Sequence, residues 1–176
     1  YRGGGIYIRN GNPLLIHVTV SANQVVYTYG EGGGIYLSQT ESIIRDSKIL
    51  FNSSNYNGGG LFVGYLATPD IQRVAVLNNT AVNYGGGVYI DSNNLSLETL
   101  TVQDNSAAMG GGVCSSFSNS TIRYSVIAMN TATNRGGGFY YLGNSANPRL
   151  GQVTIYNNSG PLGKDIAMDG SAKVSI

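Results

Sequence analysis

The chain is poor in charge, cysteine and histidine, and it has no long apolar run. Charged residues make up 11% of it, well below the roughly 25% of an ordinary soluble domain, so the polar surface has to come from Asn, Ser, Thr and Tyr. The formal net charge is +1 and no basic cluster occurs, which argues against nucleic acid or anionic lipid as the main partner. No apolar stretch approaches the roughly 18 residues a membrane span needs, and no signal-peptide pattern is present. This segment is therefore not expected to cross a membrane. Cys114, the single cysteine, excludes an internal disulfide framework. Glycine is plentiful, at 26 residues, but it follows no Gly-X-Y period, which excludes collagen.

What the chain does contain is a repeat. Three glycines followed by an apolar, an aromatic and another apolar residue occur at Gly3–Ile8, Gly32–Leu37, Gly58–Val63 and Gly85–Ile90. Looser copies follow at Gly110–Ser115 and Gly136–Tyr141, and successive copies start 29, 26, 27, 25 and 26 residues apart. A second marker, Val/Ile-x-x-Asn, runs in phase and ends on Asn23, Asn52, Asn79, Asn105, Asn130 and Asn158. Eight residues before each Asn stands Leu15, Ile44, Ile71, Leu97, Ile122 or Leu150.

Period-2 alternation puts Val74 and Val76 on one face of a short strand, and it turns Ile6 and Ile8 inward and Tyr7 outward. No segment carries the i, i+3, i+4 apolar spacing of a helix. The spacing predicts an all-β parallel β-helix of about six to seven rungs, with about 26 residues and two or three strands per rung. In such a solenoid equivalent residues stack about 4.8 Å apart. Each inward Val, Ile or Leu then contributes roughly 1.5–3 kcal/mol on burial, and the Asn column is expected to form a side-chain amide ladder. Residues 1–176 read as one segment. It opens inside one repeat and stops inside another, which is expected of an excerpt of a longer chain. Gly163-Lys164-Asp165 stands where a seventh glycine triplet is due, either as an end cap or as a tolerated variant.

The paired markers resemble the polymorphic outer-membrane protein repeats of chlamydial adhesins. Those repeats read Gly-Gly-Ala-apolar with Phe-x-x-Asn; here the Ala is always Gly and the Phe is always Val or Ile. The wider superfamily is the right-handed parallel β-helix, which includes the pectate-lyase-like proteins. The resemblance implies a right-handed parallel β-helix and a surface-protein role.

No constellation of catalytic type stands out. The acidic residues Glu31, Glu41, Asp46, Asp70, Asp91, Glu98, Asp104, Asp165 and Asp169 are scattered, without the clustered acids of a pectinolytic site. Asp46 and Arg73 share a column, as do Glu98 and Arg123, and both pairs read as surface ion pairs worth about 0–1 kcal/mol. A glycosidase pair of Asp46 and Glu98 is the alternative, at a separation near the inverting range. His17 shares the outward column of Asp46, and no second residue supports it as a base. The Gly runs continue into Ile-Tyr, not into the acidic nonapeptides of calcium β-rolls or the Lys-Ser/Thr of a phosphate loop. No cofactor or metal is expected.

Two features point to binding. Tyr7, Tyr36, Phe62, Tyr89 and Tyr140, with Cys114 interrupting them, are expected to form an outward aromatic stripe that serves as a contact line. N-glycosylation sequons begin at Asn52, Asn78, Asn94, Asn119 and Asn157. Asn94 and Asn119 fall in polar loops and lead as acceptors, followed by Asn78 and Asn157; Asn52 belongs to the ladder. The expected function is a non-enzymatic extracellular or cell-surface rod, acting as spacer, adhesin or fibre component. Its partners would be other subunits or further rungs, with N-glycans or carbohydrate beside them. The alternative is a carbohydrate-binding or polysaccharide-degrading β-helix.

Overall fold

The computed structural model describes residues 2–92, 94–143 and 147–170. Every regular element in them is a β-strand. The chain winds as a parallel β-solenoid of about six turns with about 27 residues per turn. We number the coils from their glycine triplets: coil 1 starts at Gly3, coil 2 at Gly32, coil 3 at Gly58, coil 4 at Gly85, coil 5 at Gly110 and coil 6 at Gly136. A seventh begins at Gly163.

Coil 4 shows the plan. Its strands are Val88–Ile90, Ser96–Glu98, Thr101–Gln103 and Ser106–Met109, and each belongs to a different sheet. Among the described residues the four sheets hold seven, six, six and five strands. Four strands per coil correct the expected two or three. The extra one lies between the ladder Asn and the next glycine triplet, and in coils 2 and 3 it is only Ser53–Ser54 and Thr80–Ala81. Two residues are too few to display alternation, and the inward column is small: Val25, Ser54, Ala81, Ala107 and Ala132 are all buried.

Register is like on like. Val88 pairs with Leu61 and Val113, Leu97 with Ile71 and Ile122, and Val102 with Val76 and Ile127. These columns make one continuous core, with Leu37, Val63, Ile90, Ile49 and Val76 fully enclosed.

The strands are short because each coil turns at left-handed corners. The first falls on the leading glycine of every triplet, at φ 61–70° in coils 1 to 6. The second corner is occupied by His17, Asp46, Arg73, Thr99, Tyr124 and Gln152, and the third by Ala22, Phe51, Asn78, Asp104, Met129 and Asn157, all at φ 51–58°. A side chain at such φ costs on the order of 1 kcal/mol, which the buried apolar columns offset. The other two glycines of a triplet answer to packing. A Cβ on Gly86 would lie 2.3 Å from the Ser106 carbonyl oxygen, and one on Gly87 would lie 3.0 Å from the Asn105 amide nitrogen.

Candidate functional site

The Asn column forms an unbroken amide ladder along the inside of the third corner. Asn105 is typical. Its Nδ2 donates to the Val76 carbonyl at 2.9 Å and to Asn130 Oδ1 at 3.0 Å, while its Oδ1 accepts from the backbone N–H of Asn79 at 2.9 Å and from Asn79 Nδ2 at 3.0 Å. Two donors and two acceptors are all that an amide side chain has, so nothing is left unsatisfied. The same bonds join Asn23 to Asn52, Asn52 to Asn79 and Asn130 to Asn158. Asn52, Asn79, Asn105, Asn130 and Asn158 are buried, which removes Asn52 as an accessible sequon.

The aromatic column is present but is not an outward contact line. Tyr7 and Tyr36, Tyr36 and Phe62, and Phe62 and Tyr89 stack at centroid distances of 5.3, 4.9 and 5.1 Å. Tyr7 is 49% exposed, whereas Tyr36, Phe62, Tyr89 and Tyr140 are 5%, 4%, 7% and 1% exposed, and Cys114 is fully enclosed. Burial of these residues corrects the expected interface stripe.

The cover comes from a column that sequence reasoning missed, the residue before each triplet: Arg2, Glu31, Asn57, Tyr84, Met109 and Arg135. Tyr84 and Met109 pack against the stripe. The Tyr84 ring lies 6.2 Å from that of Tyr89 and 6.3 Å from that of Tyr140, bridging the gap at Cys114. At the N-terminal end the Arg2 guanidinium sits 5.2 Å from the Tyr36 ring centre while Arg2 Nε donates to Glu31 at 2.9 Å. At the other end the Tyr140 hydroxyl and Arg135 both donate to Asp169, each at 2.5 Å. A sequence signal for this existed. Ile35-Tyr36-Leu37, Leu61-Phe62-Val63 and Phe139-Tyr140-Tyr141 are apolar at every position, the mark of strands buried on both faces.

Burial also governs the titration of these phenols. It pushes Tyr36, Tyr84, Tyr89 and Tyr140 above the ordinary tyrosine value, which is about 10. The folded state therefore holds the proton that the unfolded chain releases. Stability is fully present below about pH 10 and falls as pH rises beyond it. In an alkaline titration these tyrosines are expected to ionise in one step together with loss of the β-sheet circular dichroism signal; gradual ionisation with the signal intact would contradict their burial.

The remaining candidates lie on the surface. Asn78, Asn94, Asn119 and Asn157 are exposed. Asn78 and Asn157 occupy third corners and Asn94 is itself left-handed, while Asn119 Oδ1 accepts the Asn147 backbone N–H at 2.8 Å. His17 is exposed at a second corner. Asp46 is clamped by Arg73 through two bonds, Nε–Oδ1 at 2.6 Å and NH2–Oδ2 at 2.9 Å, and these hydrogen bonds hold its carboxyl below the usual carboxylate range. Glu98 stands elsewhere, in a trough of about 300 Å³ over the outer face of the second sheet, lined also by Thr68, Asp70, Gln72, Asn94 and Ser96. Asp70 there is engaged by Arg45 and by Gln72 Nε2. Asp46 and Glu98 are thus not brought together around one opening. Among the described residues no group of three or more His, Cys, Asp or Glu side chains has metal-binding geometry, and no helix is long and apolar enough to cross a membrane.

No protein-family model matches the chain, and no curated protein or solved structure matches it.

Proposed function

We propose that the chain is a stiff, non-enzymatic rod that serves as spacer, adhesive segment or fibre component of an extracellular or cell-surface assembly. The observation that carries this reading is the pair of ladders. The amides run through coils 1 to 6 and the stacked rings through coils 1 to 4, so coils 2 to 5 cannot shift without breaking amide bonds to both neighbours. The sparsely charged Asn/Ser/Thr surface supports it, as does the similarity of the two repeat markers to the chlamydial adhesin repeats. Since the aromatic column is covered, partner subunits have to engage the exposed faces, and exposed Asn94, Asn119, Asn78 and Asn157 are available for N-glycans.

A second reading is favoured by the trough beside Glu98. Its hydroxyl, amide and carboxylate lining suits a sugar chain, which would make the protein a carbohydrate-binding solenoid. A density map of the native particle separates the two. Protein contacts repeated along the rod, with glycan density at the four exposed sequons, are the expected result. Oligosaccharide lying across the trough, without subunit contacts, would overturn the structural reading.

A further inference from the structure

We propose that Asn52 is a glycan acceptor in the unfolded chain alone, and that a sugar placed there shuts the chain out of the solenoid. The tripeptide Asn52-Ser53-Ser54 is a complete N-glycosylation sequon. Before folding, its amide is as open as those of Asn78, Asn94, Asn119 and Asn157. Transfer would join Asn52 Nδ2 to the anomeric carbon of a lipid-diphosphate oligosaccharide. The bond from that carbon to the diphosphate oxygen breaks, the lipid diphosphate leaves with the electron pair, and Nδ2 gives up one of its two hydrogens as a proton. The ladder uses both of those hydrogens. Asn52 Nδ2 donates to the Val20 carbonyl and to Asn79 Oδ1, each at 3.0 Å, so a glycosylated amide would have one donor for two acceptors. There is no room for the sugar either. Asn52 is 1% exposed, and a single carbon added to Gly34 would already lie 2.8 Å from its Nδ2. Native packing of coils 1 to 3 and a glycan on Asn52 therefore exclude each other.

Ser54 creates the conflict. The ladder Asn of coils 3, 4 and 5 is followed by a hydroxyl residue and then by alanine, in Thr80-Ala81, Ser106-Ala107 and Thr131-Ala132. Those alanines, with Val25 of coil 1, stand in the same buried inward column as Ser54, and none of them completes a sequon. Ser54 does, while its own Oγ donates to the Asn57 carbonyl at 3.1 Å. Asn78 and Asn157 differ: they are exposed at third corners, one residue before a ladder Asn, where a glycan leaves the ladder intact. Occupancy of Asn52 thus records whether coils 1 to 3 closed before the chain met the transferase. The inference rests on the extracellular reading above for that encounter alone; the exclusion itself follows from the ladder.

The test is translation of the whole chain, behind a cleavable signal sequence, into microsomes that carry the transferase and its lipid-linked donor. Limited proteolysis then separates wound from unwound chains, and mass spectrometry reads each sequon. Glycan on Asn52 is expected in the protease-sensitive fraction and at least about tenfold scarcer in the resistant one, with Asn78 and Asn94 occupied in both. Ser54→Ala, which gives coil 2 the residue of coils 3 to 5, should abolish the Asn52 glycan and enlarge the resistant fraction. Gly86→Ala, whose added Cβ would lie 2.3 Å from the Ser106 carbonyl oxygen, keeps the chain from folding and should carry glycan on Asn52 as fully as on Asn78. Glycan on Asn52 in resistant chains would overturn the exclusion. An unmodified Asn52 in protease-sensitive Gly86→Ala chains would overturn the acceptor role. Glycan-free protein from the native source, beside the expected microsome results, would leave this inference standing and count against the extracellular reading.

Discussion

Replacing Gly86 with alanine is expected to abolish the folded solenoid, at a cost above about 4 kcal/mol, beyond the range of ordinary point mutants. The new Cβ would fall 2.3 Å from the Ser106 carbonyl oxygen, 2.5 Å from its carbonyl carbon and 2.5 Å from the Gly111 oxygen. All three atoms are backbone, held on one side by the fourth sheet and on the other by the next triplet. No rotamer change can relieve the clash, and moving Gly111 would pass the strain to every coil stacked above it. The control is Gly11→Ala, where no atom lies within 4 Å of the added carbon and stability should stay within about 0.5 kcal/mol. Thermal melting of the two variants decides the matter. A Gly86→Ala chain that melts like the parent would mean that the triplets are not the packing constraint described above.

Breaking the amide ladder at its centre comes second. Asn105→Ala removes the bonds of three buried groups: the backbone N–H of Asn79, one N–H of the Asn79 amide, whose other N–H stays on the Ile49 carbonyl, and the carbonyl of Val76. At about 1–3 kcal/mol for each unsatisfied buried group, the loss is expected to be about 3–6 kcal/mol. Asn105→Asp should be no milder, since it keeps the acceptor but loses both donors and buries a charge. Asn23→Ala should cost only about 1 kcal/mol, because Asn23 is only half-buried and returns one of its bonds to its own coil. Denaturant unfolding of these three variants should therefore rank by position in the ladder. Equal losses at Asn23 and Asn105 would show that the column stabilises each coil separately and not the stack.

The parts of this molecule that could be read from sequence are those in which neighbouring coils repeat the same chemistry. Ile44, Ile71, Leu97, Ile122 and Leu150 could be aligned by eye because each sits on its own kind. The Asn column could be read for the same reason, since an amide is the one side chain that both gives and takes two bonds along a stack. The left-handed corners were hidden. His17, Asp46, Arg73, Thr99, Tyr124 and Gln152 share a backbone angle but no side-chain chemistry. The cover over the aromatic column was hidden in the same way. Arg2, Tyr84 and Met109 contribute a cation, a ring and a thioether to one task, so no single residue type marks the position. Sheet membership failed where strands shrink to two residues, as at Ser53–Ser54.

The parallel pairing has a mechanical side. All the bonds that join one coil to the next, in the four sheets and in the amide ladder alike, point along the long axis. Compression or bending presses stacked rings and β-branched columns into contact and is shared by every coil at once. A pull on one end loads the outermost turn first, and that turn can peel away a few bonds at a time while the rest stays wound. Such a build bears a push better than a pull, which suits the spacer role proposed above.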